Sequence, residues 1–226
     1  MPAARELLLD AAFAALGARP WSGVRMVDVA AAAGVSRQTL YNEFGSKDGL
    51  ARALVRREAE SFLAGVEHAL AAVGEGADAG ERCAAVAGWM LRAARTNPLV
   101  RAALTGCRGE RLPAAAAPPV PAVPPARSVP GPPRGAPSPG ALAVGVRDRA
   151  VRAVAPGVPP GPSAGGAERA VWACEAAVRL ALSYVVAPAG PDEEAAERVA
   201  ELVRALLGGG AEVRDPRPPE GESARR

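Results

Sequence analysis

The sequence predicts an all-helical protein whose N-terminal part contains a helix-turn-helix. Apolar residues recur at the spacing of a single helix face along most of the chain, and no segment alternates as a half-buried strand would. Near the N-terminus, two short helical segments at 26–33 and 36–44 are separated only by Gly34 and Val35. Because glycine adopts the left-handed conformation without steric cost, this spacing is typical of a tight turn between two helices.

Helical periodicity also places the other elements of the chain. A first helix is predicted over 5–17 and ends at a glycine. A long helix follows from Ser46 to about Val73. Further along the chain, Thr96-Asn97-Pro98 divides a helical block, since proline is tolerated only at the first helical position. The remaining predicted helices are 81–96, 98–105, 168–187 and 193–207, the last beginning at an Asp192 cap with acidic residues in its first turn.

Proline changes the character of the chain at 109–166. This window contains 15 of the 23 prolines, which remove backbone donors and favour extended conformations. We therefore expect a disordered, composition-driven insertion, with Leu142–Val154 as one short helix inside it; a proline-rich ligand for partner domains is the alternative. The polar tail at 208–226 is also expected to be disordered.

The distribution of charge is uneven. Residues 1–57 hold eight basic and five acidic side chains, whereas the rest of the chain holds 19 of each, so the whole net charge of +3 lies in the first quarter of the sequence. No uncharged apolar run reaches the length of about 18 residues that a transmembrane helix needs. Early charges at Arg5, Glu6 and Asp10 are unlike a signal peptide. A cytoplasmic protein that does not use a membrane is expected.

Composition argues against an enzyme or a metalloprotein. Cys83, Cys107 and Cys174 are too far apart in sequence for a metal-binding pair and are interpreted as reduced, partly buried thiols. His68 is the single histidine, and the chain has no nucleophile–base set, phosphate loop or dinucleotide motif. We therefore expect no catalytic residues, no metal and no cofactor.

The second helix of the motif has an apolar face and a polar face. Ser36 is placed to cap it by accepting a hydrogen bond from the backbone at Gln38 or Thr39. Leu40 and Phe44 share the face that meets the core. The outward face then consists of Arg37, Gln38, Thr39, Tyr41 and Asn42.

These outward residue types are suited to reading DNA. In such motifs the start of the second helix enters the major groove. Arg37 can donate two hydrogen bonds to guanine, Gln38 can pair with adenine, and Thr39 can contact thymine through its methyl group. Tyr41 is long enough to reach a phosphate, whereas Ser36 is explained either by capping or by a phosphate contact.

Lys47 lies at the start of the following helix, where its charge opposes the helix dipole. A DNA phosphate at this position would meet both the ammonium group and free backbone N–H groups. We predict that Lys47 binds phosphate; the alternative is a solvated surface lysine.

The run from Val29 to Leu50 resembles the signature of TetR-family transcriptional regulators. The matching features are Ala33-Gly34-Val35-Ser36, Thr39-Leu40-Tyr41, Phe44 and Ser46-Lys47, all in register, within a similarity that covers residues 5–54. Arg25 departs from the pattern because it stands where a threonine often caps the helix, and it could contact phosphate instead.

This resemblance implies a three-helix DNA-binding domain over 1–50 and a helical regulatory and dimerisation domain over 51–207. The helices at 168–187 and 193–207 resemble the family's dimer-forming pair. The partners implied are double-stranded DNA with a near-palindromic operator, a second copy of the chain and a small apolar effector. We place Trp89, Met90 and Trp172 at the effector pocket.

The function that these observations predict is a sequence-specific, ligand-responsive dimeric repressor. The alternative is a constitutive or architectural DNA-binding dimer without an effector, favoured by the proline-rich insertion and by the near absence of polar, pocket-type residues in 81–105.

Overall fold

The computed structural model describes residues 2–107, 112–113, 137–157 and 165–208, and every regular element in these ranges is helical. The α-helices are α1 Pro2–Ala18, α2 Met26–Ala32, α3 Arg37–Phe44, α4 Lys47–Ala72, α5 Ala79–Thr96, α6 Pro98–Thr105, α7 Pro139–Val154, α8 Gly166–Val186 and α9 Asp192–Gly208. Short 3-10 turns occur at Trp21–Gly23 and Ala155–Gly157. The predicted all-helical class is confirmed.

A first hydrophobic core, the N-terminal core, holds α1, α2, α3 and the first half of α4 together. Leu8, Leu40, Leu50 and Leu54 have no exposed surface in it. Leu99, from α6, also belongs to this core. A later part of the chain therefore packs directly into the N-terminal helical domain.

A second core, the C-terminal core, is formed by the rest of α4 with α5, α6, α7, α8 and α9. Its fully buried members include Val66, Met90, Val146, Cys174 and Val199. Many of the other buried residues are alanines, whose small side chains let the helices approach closely. Among the described helices, none has the length and apolar character needed to cross a bilayer.

Helix α7 confirms the one helix that was expected inside the proline-rich window 109–166. The helix expected at Leu142–Val154 is present as Pro139–Val154, and its apolar face is buried in the C-terminal core. Arg149 adds an ion pair by donating from Nε to Glu67 Oε1 of α4 at 2.8 Å. The expected disorder of the rest of the insertion, and of the tail after 208, concerns residues outside the described ranges.

Polar side chains fix the helix ends that the sequence indicated. Asp78 and Glu81 form a reciprocal capping box at the start of α5. Asn97 accepts from the backbone of Leu99 and Val100 at the start of α6, with Pro98 as the first helical residue. The prediction for α9 was wrong in one detail, because Asp192 is its first helical residue and its carboxylate pairs with Arg95.

A buried ionic cluster lies where the two cores meet. Glu58 of α4 is only 9% exposed and accepts hydrogen bonds from Arg57 Nε and Nη2 at 3.1 and 2.9 Å. Asn97 Nδ2 donates to the other Glu58 oxygen at 2.7 Å. Arg57 also donates to Asp10 of α1 at 2.7 Å. One cluster of polar contacts therefore joins α1, α4 and the start of α6.

Replacing Glu58 with alanine should destabilise the protein by about 2–4 kcal/mol, because the donors of Arg57 and Asn97 would lose a charged, buried acceptor. Urea unfolding at fixed protein concentration measures the change. The matched control is Glu60→Ala, which removes an exposed glutamate 3.6 Å from Arg56 on the same helix. This control should cost about 0.5 kcal/mol or less. Equal unfolding midpoints for the two variants would contradict the assignment.

Candidate nucleic-acid interface

The turn between α2 and α3 is held by backbone hydrogen bonds. Gly34 has a φ of 66°. This left-handed conformation favours glycine. Val35 N donates to Ala30 O at 3.1 Å, and the Val35 side chain is half-buried against the N-terminal core. These contacts fix the direction in which α3 leaves the turn.

Ser36 caps α3 as predicted. Its Oγ accepts a hydrogen bond from Thr39 N at 3.0 Å and lies 2.9 Å from Thr39 Oγ1. Thr39 is half-buried. Because its hydroxyl is engaged with Ser36, its methyl group is the part that can make a new contact. The cap therefore uses the hydroxyls of both residues.

Two buried side chains orient α3 about its axis. Leu40 is fully buried and Phe44 is 9% exposed, both in the N-terminal core. The guanidinium of Arg5 lies 4.8 Å from the Phe44 ring centroid. This arrangement adds a cation–π contact from α1. Since this face is anchored, the opposite face of α3 is held towards solvent.

The exposed face of α3 carries four of the predicted DNA-binding residues: Arg37, Gln38, Tyr41 and Asn42. Tyr41 is 46% exposed, and Gln38 Nε2 donates to Asn42 Oδ1 at 2.9 Å along the helix surface. Arg37 makes no hydrogen bond or ion pair with any part of the chain that the structure describes. Its guanidinium is therefore available to a ligand.

Arg25 precedes α2 and contributes no side-chain cap. Its guanidinium instead pairs with Asp28, with Nε to Oδ2 at 2.9 Å and Nη2 to Oδ1 at 3.0 Å. Hydrogen bonding within this pair lowers the pKa of Asp28 and raises the pKa of Arg25. Arg25 is thus positioned at the surface beside the first turn of α2.

Lys47, the first residue of α4, has two partners that the sequence did not indicate. Its Nζ donates to Ser22 O at 3.2 Å and lies 5.4 Å from the centroid of the Trp21 ring. Ser46 Oγ accepts from Gly49 N at 3.1 Å and caps the same helix end. Because Trp21 and Lys47 are distant in sequence, no local pattern could reveal this contact. The ammonium group joins the α1–α2 connection to the start of α4.

The residues predicted for an effector pocket do not come together. Met90 lines a narrow gap between α5, α7 and α8 that has no room for a water molecule. Trp89 lies outside that lining: its Nε1 donates to Phe62 O at 3.0 Å, and its ring occupies the space left by Gly65. Trp172 is 72% exposed on α8. In the described ranges, no cluster of three or more His, Cys, Asp or Glu residues could hold a metal ion.

Comparison with known families agrees with this geometry. The profile described as "Bacterial regulatory proteins, tetR family" matches residues 8–54, which include the whole helix-turn-helix. A second profile, described as "Bacterial Tetracyclin repressor, C-terminal domain", matches residues 146–205. The chain belongs to the TetR family. The second match begins within α7, so the helix that composition assigned to an insertion is part of the TetR C-terminal domain.

Individual TetR relatives differ in how much of the chain they match. The HTH-type transcriptional regulator AlkX of Mycobacterium tuberculosis is 47% identical over 66 residues, which cover 29% of this chain and 31% of that protein. The chain thus matches about a third of the length of this curated relative.

Two solved TetR structures share the fold over most of the chain. The repressor AlkX from Dietzia sp. strain DQ12-45-1b, implicated in biodegradation of n-alkanes, has 23% identity and a TM-score of 0.51, covering 90% of this chain and 97% of that one. A Streptomyces coelicolor regulator has 20% identity and a TM-score of 0.58, covering 93% of this chain and 83% of that one.

Removing the α3 cap should destabilise the N-terminal domain. Ser36→Ala leaves the Thr39 N–H without its acceptor and should lower the free energy of unfolding by about 1 kcal/mol. Thermal or urea unfolding followed by circular dichroism measures it. Ser61→Ala, at an exposed serine inside α4, is the control and should cause no loss, because alanine favours a helix interior. An unchanged stability in Ser36→Ala would show that the cap contributes nothing.

Proposed function

We propose that the chain is a sequence-specific transcriptional repressor that binds a near-palindromic operator as a homodimer, with α3 in the major groove. The observation that carries the proposal is the anchoring of α3 by Leu40 and Phe44, which holds the face with Arg37, Gln38 and Tyr41 towards solvent. Such a rigidly presented polar helix face is what major-groove recognition requires. We place this activity in the cytoplasm, where bacterial DNA is found.

Base recognition would follow from the hydrogen-bonding groups that α3 leaves open. Arg37 offers its guanidinium to guanine O6 and N7. The side-chain nitrogen of Gln38 donates to Asn42, while its side-chain oxygen can still accept a hydrogen bond. Pairing with adenine uses both of these atoms, so Gln38 must first release its hydrogen bond to Asn42. Thr39 offers its methyl group to thymine because its hydroxyl is engaged with Ser36.

Phosphate contacts would fix the position of the domain on DNA. Tyr41 presents its hydroxyl beside the base-reading residues. Lys47 has ammonium protons left after its bond to Ser22 O, and the guanidinium of Arg25 has N–H groups left after its pair with Asp28. These partners hold both cations in place before DNA arrives.

A homodimer is supported by the exposed apolar residues of α8. Val171, Trp172 and Val186 are 40%, 72% and 60% exposed. Such side chains grouped on one helix indicate an interaction surface. We propose that α8 and α9 pack against the same helices of a second copy. A two-fold dimer would set two α3 helices about 34 Å apart, or a multiple of that distance.

Binding of an effector in the C-terminal core would require its helices to move. The cavity beside Met90 is lined by apolar side chains and two thiols, which suits a small apolar molecule, but a ligand could enter only if α5, α7 and α8 separated. Its dryness favours the second candidate, a constitutive DNA-binding dimer without an effector. A thermal-shift screen of small apolar compounds, combined with operator release, distinguishes the two candidates.

Substitutions on α3 and α4 should separate base reading from phosphate binding. Once the operator has been selected from random DNA, Arg37→Ala should weaken binding by about 1–3 kcal/mol and relax preference at one base pair. Lys47→Ala should weaken binding to all sequences and reduce the salt slope by about 1. Tyr41→Ala should also weaken binding through a lost phosphate contact. Fluorescence anisotropy over a range of salt concentrations measures each effect.

The control for this series is Arg152→Ala, which removes an exposed positive charge from α7, outside the N-terminal domain. Its affinity and salt slope should stay at the wild-type values. If Tyr41→Ala and Lys47→Ala bound as tightly as this control at moderate salt, the assignment of the interface would be wrong.

A charge at Trp172, the most exposed apolar side chain of α8, should prevent dimerisation. Trp172→Glu is expected to give a monomer, because a buried carboxylate would lack a partner at the interface, and operator affinity should fall with it. Analytical ultracentrifugation measures the oligomeric state. Val144→Glu makes the same change at an exposed apolar residue of α7 and should leave the dimer intact. A dimer that survives Trp172→Glu would exclude this face.

A further inference from the structure

The three cysteines of the chain have different surroundings. Cys107, after α6, is exposed. Cys83 on α5 and Cys174 on α8 are 2% and 0% exposed, although they are far apart in sequence. Both line the cavity beside Met90. The fold therefore brings two buried thiols together inside the C-terminal core.

The proximity of the two thiols affects the pKa of each. A hydrogen bond from the Cys83 thiol to the Cys174 sulfur lowers the pKa of Cys174, and the same hydrogen bond, together with burial, raises the pKa of Cys83. Cys174 is consequently the sulfur on which the thiolate forms more readily, and Cys83 is the adjacent proton donor. A thiolate on Cys174 and a thiol on Cys83 supply a nucleophilic cysteine and a resolving partner whenever the helices open far enough for an oxidant to reach them.

The rest of the cavity lining limits the chemistry available to this pair. Its other members are Val86, Ala87, Met90, Ala150, Ala177, Val178 and Ala181. None of these side chains offers a charge, so a lasting charged product such as a sulfinate would be costly there once the helices have closed again. A disulfide is neutral and needs no hydrogen-bond partner. Converting the thiol pair to a disulfide therefore suits these surroundings.

We propose that Cys83 and Cys174 are a redox pair that a small uncharged hydroperoxide converts into an intramolecular disulfide joining α5 to α8. The hydroperoxide reaches the pair when α5, α7 and α8 separate, because the closed gap has no room even for water. The Cys174 thiolate attacks it, the O–O bond breaks, and the leaving oxygen takes up the proton that the Cys174 thiol released, giving an alcohol or water. The resulting sulfenic acid is attacked by the Cys83 sulfur. An S–S bond forms, the S–O bond breaks, and hydroxide leaves with the Cys83 proton as water. Two thiols lose two electrons, and one hydroperoxide gains them.

The disulfide would change the packing of the C-terminal core. It holds its sulfurs about 2 Å apart, closer than two hydrogen-bonded thiols can approach. Helix α5 is separated from α6 only by Asn97, and Leu99 of α6 lies in the N-terminal core. Helix α8 carries the proposed dimer face. Drawing α5 towards α8 would therefore displace helices that contact both functional surfaces. This regulatory consequence rests on the proposed repressor function, whereas the oxidation itself does not.

The test begins with full-length Cys107→Ser, which removes the exposed thiol and leaves the buried pair intact. After treatment with hydrogen peroxide, intact-mass measurement should show the loss of two hydrogens, and peptide mapping should link Cys83 to Cys174. When the oxidised protein is unfolded, neither cysteine should be labelled by N-ethylmaleimide. Dithiothreitol should restore both labels.

Matched controls are the double variants Cys83→Ala with Cys107→Ser, and Cys174→Ala with Cys107→Ser. Neither can form the disulfide, and circular dichroism checks that each is folded. In the Cys107→Ser protein, oxidation should lower operator affinity about tenfold, a typical allosteric coupling, and reduction should reverse the effect. The double variants should show no reversible change.

The outcomes separate the two proposals. If folded Cys107→Ser kept two free thiols at peroxide concentrations that oxidise Cys107 in the wild-type protein, the redox pair would be refuted. A disulfide that forms without changing operator affinity would refute its regulatory role. If the reduced protein bound no DNA, the repressor proposal would fail, while the mass measurement would still decide whether the pair is oxidised.

Discussion

Helix α4 belongs to both hydrophobic cores, and the relative placement of the two domains depends on it. Leu50 and Leu54 pack in the N-terminal core, while Phe62 and Val66 of the same helix pack in the C-terminal core. The buried carboxylate of Glu58 lies between these two sets. It accepts hydrogen bonds from Asn97, at the start of α6, and from Arg57, which also donates to Asp10 of α1. A displacement of α6 therefore cannot leave the N-terminal domain unaffected.

The helix-turn-helix could be predicted from sequence because its determinants are local. Gly34 marks the turn, Ser36 provides the cap, and the spacing of Leu40 and Phe44 shows which face is buried. Each signal involves residues within one or two helical turns of one another, so a periodic pattern reveals it. The same locality explains why most helix boundaries were placed within a few residues.

Long-range contacts could not be predicted in this way. The partners of Lys47 in the α1–α2 connection, the contact of Glu58 with Asn97, and the meeting of Cys83 with Cys174 all join residues that are distant in sequence. The helix at α7 was predicted, but its burial in the C-terminal core was missed for a different reason. The prolines around it dominated the composition of the window, although its own apolar spacing was sufficient for burial.

The three tryptophans occupy three separate environments. Trp21 is buried in the N-terminal core beside the Lys47 ammonium group, Trp89 fills the gap at Gly65 between α4 and α5, and Trp172 stands exposed on α8. Each indole is thus an intrinsic fluorophore for a different part of the molecule. Variants that keep one tryptophan at a time would resolve events in the N-terminal domain, within the C-terminal core and at the proposed dimer face of α8 without any added label.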